Sequence, residues 1–162
     1  MLALSLSASF CLASTLAENY PSLAMHGELY TNSCNPSSQG LLRETLVRSK
    51  VKNSKQAWRL IGAILCFPKD VKNRAYVKQF ASRKMRLTFE STGEDPDVQI
   101  VELNDEILDE IIAGGNAWKA SLRVEPGKIV LQYFANEACV EGATLLFHRG
   151  SWSIHEFGSA CD

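Results

Sequence analysis

Apolar and polar residues alternate along the last third of the chain. From Ala117 to Val124 every second residue points to the same face, and Trp118, Ala120 and Leu122 make that face apolar. A second alternating run follows from Ile129 to Ala135. Placing the turn at Pro126-Gly127 sets Val124 opposite Ile129, so that apolar residues meet apolar residues. The pattern predicts a β-hairpin with one buried face.

A second hairpin is predicted immediately after the first. With its turn at Arg149-Gly150, Phe147 lies opposite Trp152 and Leu145 lies opposite Ile154. The polar residues between them then share the other face. Two successive registers that each match apolar side chains indicate four neighbouring strands of one antiparallel sheet.

Upstream of the hairpins, apolar residues recur mainly at helical spacing. Short polar residues precede three of the expected helices as caps: Asn53 or Ser54, Asp70, and Asn104. The predicted elements are a short basic helix over Leu41–Val51, helices over Lys55–Phe67 and Val71–Ser82, strands over Lys84–Glu90 and Val98–Leu103, and a helix over Asp105–Ala113.

This order of elements predicts an α+β domain, in which helices pack on one face of a curved antiparallel sheet. From Ser54 to Phe157 the order resembles the cone-shaped folds of the nuclear transport factor 2 and cystatin-like group. The resemblance is one of element order and involves no sequence motif. It implies a fold that encloses a small-molecule pocket in some members and binds proteins in others, so it does not settle function.

The N-terminal region is predicted to be an export signal followed by a leader. The stretch Met1–Ala17 is uncharged, rich in Leu, Ala and Ser, and ends in small residues. A buried N-terminal helix is the alternative. Residues 18–53 are expected to form an irregular leader that can hold the short basic helix, and residues 54–162 a single domain. The expected location is periplasmic or secreted.

Four cysteines remain after such a signal is removed, an even number that suits an oxidising compartment. Extending the register of the second hairpin brings Cys139 level with Ala160 and Cys161, within disulfide reach if the strand ends are slightly bulged. This predicts a Cys139–Cys161 disulfide. By elimination, Cys34 pairs with Cys66. Buried single cysteines in a cytosolic protein are the alternative. Because no CxxC or HxxxH spacing occurs, no metal site is predicted.

The sequence contains no nucleophile elbow, glycine-rich phosphate loop or metalloprotease helix, so we predict no catalytic residue and no cofactor. His148 and His155 share a predicted strand face with Ser151 and Ser153. Such a group is more typical of a solvated hairpin face than of a catalytic pair. A small-molecule binder or enzyme that uses a sheet cavity with one of these histidines is the alternative function.

Charge is unevenly distributed along the chain. Thirteen Lys and Arg residues lie between Leu41 and Arg86 against two acidic residues, whereas acidic residues dominate from Glu90 to Glu141. The molecule should therefore be electrically two-sided. The acidic half would repel a phosphate backbone, so nucleic acid is not a predicted partner. No membrane span is predicted in the mature form.

Separated charges without catalytic groups are typical of a module that binds another protein. By class, the chain is similar to inhibitors of cell-wall-degrading enzymes and to immunity proteins that neutralise exported toxins. The predicted partner is thus a toxin or hydrolase whose active site is occluded. The predicted binding residues are Glu94, Asp95 and Asp97 in a turn, and Asp105 and Asp109 on a helix. Head-to-tail assembly into a homo-oligomer is a further alternative.

Overall fold

The computed structural model describes residues 32–161. The predicted export signal, Met1–Ala17, and the leader up to residue 31 lie outside the described residues. Within them, four helices pack on one face of a curved six-stranded sheet, which confirms the predicted α+β class. Searched over the same residues, the structure has no helix that is both long enough and apolar enough to cross a membrane.

The elements follow one another in the predicted order. They are α1 Pro36–Arg48, α2 Ser54–Leu65, α3 Val71–Phe80, β1 Ala81–Ser91, β2 Asp97–Glu102, α4 Asp105–Ile111, β3 Lys119–Glu125, β4 Lys128–Phe134, β5 Cys139–His148 and β6 Ser151–Cys161. The caps predicted for α3 and α4 are present, because Asp70 accepts a hydrogen bond from the backbone N–H of Asn73 and Asn104 accepts one from that of Ile107.

Helix α1 begins earlier than the sequence predicted and belongs to the domain core. The side chain of Asn35 accepts a hydrogen bond from the backbone N–H of Ser38, and Pro36 occupies the first turn, where its missing N–H is not needed. Leu42 and Leu46 are each only 1% exposed. The Asn35-Pro36 pair, which we interpreted as part of an irregular leader, is therefore the start of a helix.

Both predicted hairpin registers are confirmed. Val124 lies opposite Ile129, and Phe147 lies opposite Trp152. The strand order is β2-β1-β6-β5-β4-β3, and β1 pairs with β6 in parallel, so this one pairing departs from the antiparallel sheet that we expected. Because the two strands are far apart in the chain, no turn between them could reveal their pairing.

A bulge in the β5–β6 ladder brings the last cysteines together. Leu145 lies opposite Ile154 but Thr144 lies opposite Glu156, so His155 is the extra residue. Cys139 then lies opposite Cys161. Both predicted disulfides, Cys34–Cys66 and Cys139–Cys161, are present. A domain with two disulfides is compatible with an exported protein.

The hydrophobic core lies between the helices and one face of the sheet, which we call the inner face. Helix α2 lies against it, with every residue from Leu60 to Leu65 buried. The large inner-face side chains include Met85, Leu122, Ile129, Leu131, Tyr133, Leu145, Trp152 and Ile154. Tyr133 donates a hydrogen bond from its hydroxyl to the carbonyl oxygen of Ile111, 2.6 Å away, which anchors the end of α4 to β4. The opposite side of the sheet is the outer face.

Candidate functional site

Three of the predicted binding residues lie together and are accessible. Glu94 and Asp95 lie in the connection between β1 and β2, and Asp97 is the first residue of β2. Residues 91–100 are all exposed. None of the three carboxylates takes part in a salt bridge with residues 32–161. Asp97 accepts a hydrogen bond from the side chain of Gln99. These three carboxylates are therefore exposed and not neutralised by a cation of residues 32–161.

The other two predicted residues serve to hold α4 against α3. Asp109 binds the guanidinium of Arg74 through both carboxylate oxygens, at 2.5 and 3.1 Å, and Asp105 lies 3.0 Å from the ammonium of Lys78. Both residues also follow β2 in the chain, whereas the turn precedes it. The six residues of β2 span roughly 17 Å between the two groups. The five predicted residues thus form two separate groups, and of these only Glu94, Asp95 and Asp97 form no salt bridge with residues 32–161.

Two aliphatic residues beside the turn were not identified as site residues from the sequence. Val98 is 46% exposed and Ile100 is 67% exposed, both on β2 at the edge of the sheet. They lie opposite Thr88 and Arg86 on the outer face. The sequence predicted a strand over Val98–Leu103, but it did not predict that Val98 and Ile100 would be exposed. We call residues 91–100 the acidic hairpin.

A cleft of about 480 Å³ opens on the inner face, near the end of α4. Apolar rings and charged groups line it together. The residues that matter for its chemistry are Lys69, Phe89, Asp109, Glu141, Phe157 and Ser159. Its lining combines two aromatic rings with several charged and polar side chains, so it could contact a small ligand that has both apolar and polar groups.

Glu141 is the titratable group of this cleft with a perturbed pKa. Burial raises the pKa of its carboxyl, while a hydrogen bond from the backbone N–H of Ala135 and the charge of Lys69 act in the opposite direction. One feature of the sequence indicates that Glu141 lies on the inner face. Glu141 precedes Ala143 and Leu145 by two and four residues on the same strand, which puts it on the inner face.

The raised pKa of Glu141 predicts a pH-dependent stability difference. Since the pKa in the folded protein lies above the ordinary value of 4.5, ionising the carboxyl costs stability as the pH rises through both values. The melting temperature of Glu141→Gln relative to the natural protein should therefore be higher at about pH 7 than at about pH 4. Thermal unfolding at both pH values measures this. An equal difference at the two pH values would contradict it.

The two histidines do not line the inner cleft. His148 is exposed, and His155 is half-buried with its Nε2 3.0 Å from the hydroxyl oxygen of Ser153. Ser153 lies between Trp152 and Ile154, whose side chains are in the core, so the Ser153–His155 pair is on the outer face. Among residues 32–161, no three His, Cys, Asp or Glu side chains are placed to hold a metal ion.

No protein-family model and no curated protein matches the chain. The structure is similar to a crystal structure of an NTF-2-like protein of unknown function from Silicibacter pomeroyi DSS-3. The two have 15% sequence identity and a TM-score of 0.38, and the match covers 78% of this chain and 98% of that chain. A TM-score this low does not support an inference from that protein to this one. The α+β class rests on the helices and the sheet described above.

Proposed function

We propose that the protein is exported and binds another protein through the acidic hairpin. In this proposal it is an inhibitor or immunity-type protein that neutralises a toxin or a cell-wall-degrading hydrolase by occluding its active site. One observation carries the proposal. The hairpin combines three exposed carboxylates that form no salt bridge within residues 32–161 with two exposed aliphatic side chains on an edge strand.

The hairpin suits this role physically. Its strand β1 is paired on both sides, with β2 and with β6, so the turn projects from a rigid support. The carboxylates would steer the hairpin toward a cationic cleft, and Val98 and Ile100 would supply apolar contact area once water is excluded. The two disulfides are compatible with action in an oxidising compartment.

Neutralising the acidic turn is expected to weaken target binding without loss of stability. The variant is Glu94→Gln, Asp95→Asn and Asp97→Asn, all at exposed positions. We expect affinity to fall by at least roughly tenfold, because three charge pairs across the interface are lost. The melting temperature should stay unchanged.

The measurement begins with affinity capture from the native extract by the oxidised protein, followed by mass spectrometry. The captured target is then titrated with the natural protein and with each variant. The matched control neutralises three exposed carboxylates elsewhere, Glu106, Glu110 and Glu137, and should bind as the natural protein does. Equal affinity of the turn variant and the control would place binding outside the turn.

A small-molecule site in the inner cleft is the second candidate function, and Glu141 is the observation that favours it. A partly buried carboxyl with a raised pKa beside the rings of Phe89 and Phe157 can orient a small ligand that donates a hydrogen bond. A ligand held there would raise the melting temperature of the natural protein but not that of Glu141→Gln. It would stabilise the acidic-turn variant fully, which separates the two candidates.

A further inference from the structure

A ladder of arginine and aromatic side chains crosses the helical layer. The guanidinium of Arg43 in α1 lies 4.8 Å from the ring centre of Trp58 in α2, and that of Arg59 lies 4.7 Å from the ring centre of Tyr76 in α3. The Tyr76 ring in turn contacts Phe80, with 5.1 Å between ring centres. We call Arg43, Trp58, Arg59 and Tyr76 the Arg–aromatic ladder.

The two guanidinium groups of the ladder are positioned so that they can bind carboxylates. A guanidinium stacked on a ring loses side-chain freedom but keeps the N–H groups at its edge available for two parallel hydrogen bonds. Arg43 and Arg59 are exposed, and within residues 32–161 neither forms a salt bridge. Arg74 and Lys78, by contrast, are bound to carboxylates of α4. Arg, Trp and Tyr are also the residue types that dominate binding energy at protein interfaces.

The chain itself supplies the complementary surface. The acidic hairpin presents three carboxylates without salt bridges among the described residues, with Val98 and Ile100 exposed beside them. It lies far from the ladder in the same molecule. Helix α3 leads directly into β1, and Tyr76 lies within roughly 8 Å of the start of that strand. The eleven residues of β1 extend roughly 35 Å from there to the turn, so at least roughly 25 Å separate Tyr76 from the turn. A contact between the two surfaces is therefore made between two molecules.

We propose that the Arg–aromatic ladder binds the acidic hairpin of a second copy of this chain. Glu94, Asp95 and Asp97 meet the guanidiniums of Arg43 and Arg59, while the aliphatic side chains of the hairpin cover the adjoining rings. Because the two surfaces differ, the contact is head-to-tail. A dimer therefore has one unoccupied hairpin at one end and one unoccupied ladder at the other, and each can bind a further copy. Species larger than a dimer follow.

Self-association goes beyond the proposed function, because it is binding between two copies of this chain and not binding to a target protein. A target that binds the hairpin would compete with the ladder of the second copy and release monomers. The two claims can still fail separately. Self-association is measured on the purified protein alone, whereas target binding is measured with a ladder variant, which keeps its hairpin.

The first test is sedimentation of the purified, oxidised protein over a concentration series at low and high salt. At about 20 mM salt the weight-average mass should rise with concentration past that of a dimer. At about 0.5 M salt, where charges are screened within roughly 4 Å, it should fall to that of the monomer. A protein that stays monomeric throughout the low-salt series overturns the proposal.

The second test mixes two variants. One has the neutralised turn, Glu94→Gln, Asp95→Asn and Asp97→Asn, and the other has the ladder variant Arg43→Gln with Arg59→Gln. Each alone should be monomeric, while an equal mixture should give a discrete one-to-one dimer and nothing larger, because one intact ladder and one intact hairpin remain. The control Lys72→Gln with Arg83→Gln, at exposed basic positions, should associate as the natural protein does.

Circular dichroism confirms that each variant is folded before mixing. Association that persists in the ladder variant alone, or a mixture that contains only monomers, overturns the assignment of the ladder to the hairpin. Loss of association in the Lys72 and Arg83 control would show a general effect of positive charge and would overturn it as well.

Discussion

Loss of both disulfides is expected to lower the free energy of unfolding by roughly 7 kcal/mol. Cys34 and Cys66 are separated by 32 residues, and Cys139 and Cys161 by 22 residues. For loops of that length, each disulfide contributes roughly 3 to 4 kcal/mol to the free energy of unfolding, because it reduces the conformational entropy of the unfolded chain. The two loops do not overlap in the chain, so their contributions should add.

Denaturant unfolding of the oxidised protein and of the reduced, alkylated protein measures this difference. A loss of roughly 7 kcal/mol is a large part of the stability of an ordinary domain, so the reduced protein should unfold in dilute urea. The paired substitutions Cys34→Ser with Cys66→Ser, and Cys139→Ser with Cys161→Ser, should each cause about half of the loss. Equal midpoints before and after reduction would contradict the prediction.

Substitution of Gly158 by Ala is expected to lower the free energy of unfolding by about 2 kcal/mol. A Cβ atom at this position would lie 2.9 Å from the carbonyl oxygen of Thr88 in the neighbouring strand β1. That distance is shorter than Cβ atoms tolerate. Since β1 is paired with β2 on its other side, the carbonyl cannot move away without disturbing two ladders.

Gly142 provides the matched control, because it lies opposite Gly158 in the β5–β6 ladder. A Cβ atom there would lie 3.7 Å from the carbonyl oxygen of Leu131, which is an ordinary contact. Gly142→Ala should therefore change the stability by less than about 0.5 kcal/mol. Urea unfolding of both variants provides the comparison. Equal stabilities would show that the parallel β1–β6 pairing relaxes around the added methyl group.

Local features of this protein were predictable from its sequence. The registers of both hairpins follow from turn residues and from apolar positions only a few residues away, so Val124 opposite Ile129 and Phe147 opposite Trp152 could be derived by counting. The Cys139–Cys161 disulfide followed from the same ladder. The caps Asp70 and Asn104 were predictable because a cap acts on a backbone N–H three residues further along.

The candidate site was only partly predictable. The sequence identified Glu94, Asp95 and Asp97 as accessible carboxylates, and the structure places them in an exposed turn. It could not show that Asp105 and Asp109 are bound to cations of α3, because those cations lie 27 and 35 residues away in the chain. Stacking of Arg59 on Tyr76 depends in the same way on how α2 packs against α3.

The sequence by itself determined the order of the helices and strands, the two hairpin registers and the Cys139–Cys161 pair, since these depend on residue spacing and on nearby partners. The Cys34–Cys66 pair followed from it only by elimination. Tertiary structure alone decided the parallel pairing of β1 with β6, the inward position of Glu141 at a cleft, and which charged groups remain without a salt bridge among residues 32–161. Those features arise where distant segments meet, and the distance between two such segments is set by the packed core and not by the spacing of residues along the chain.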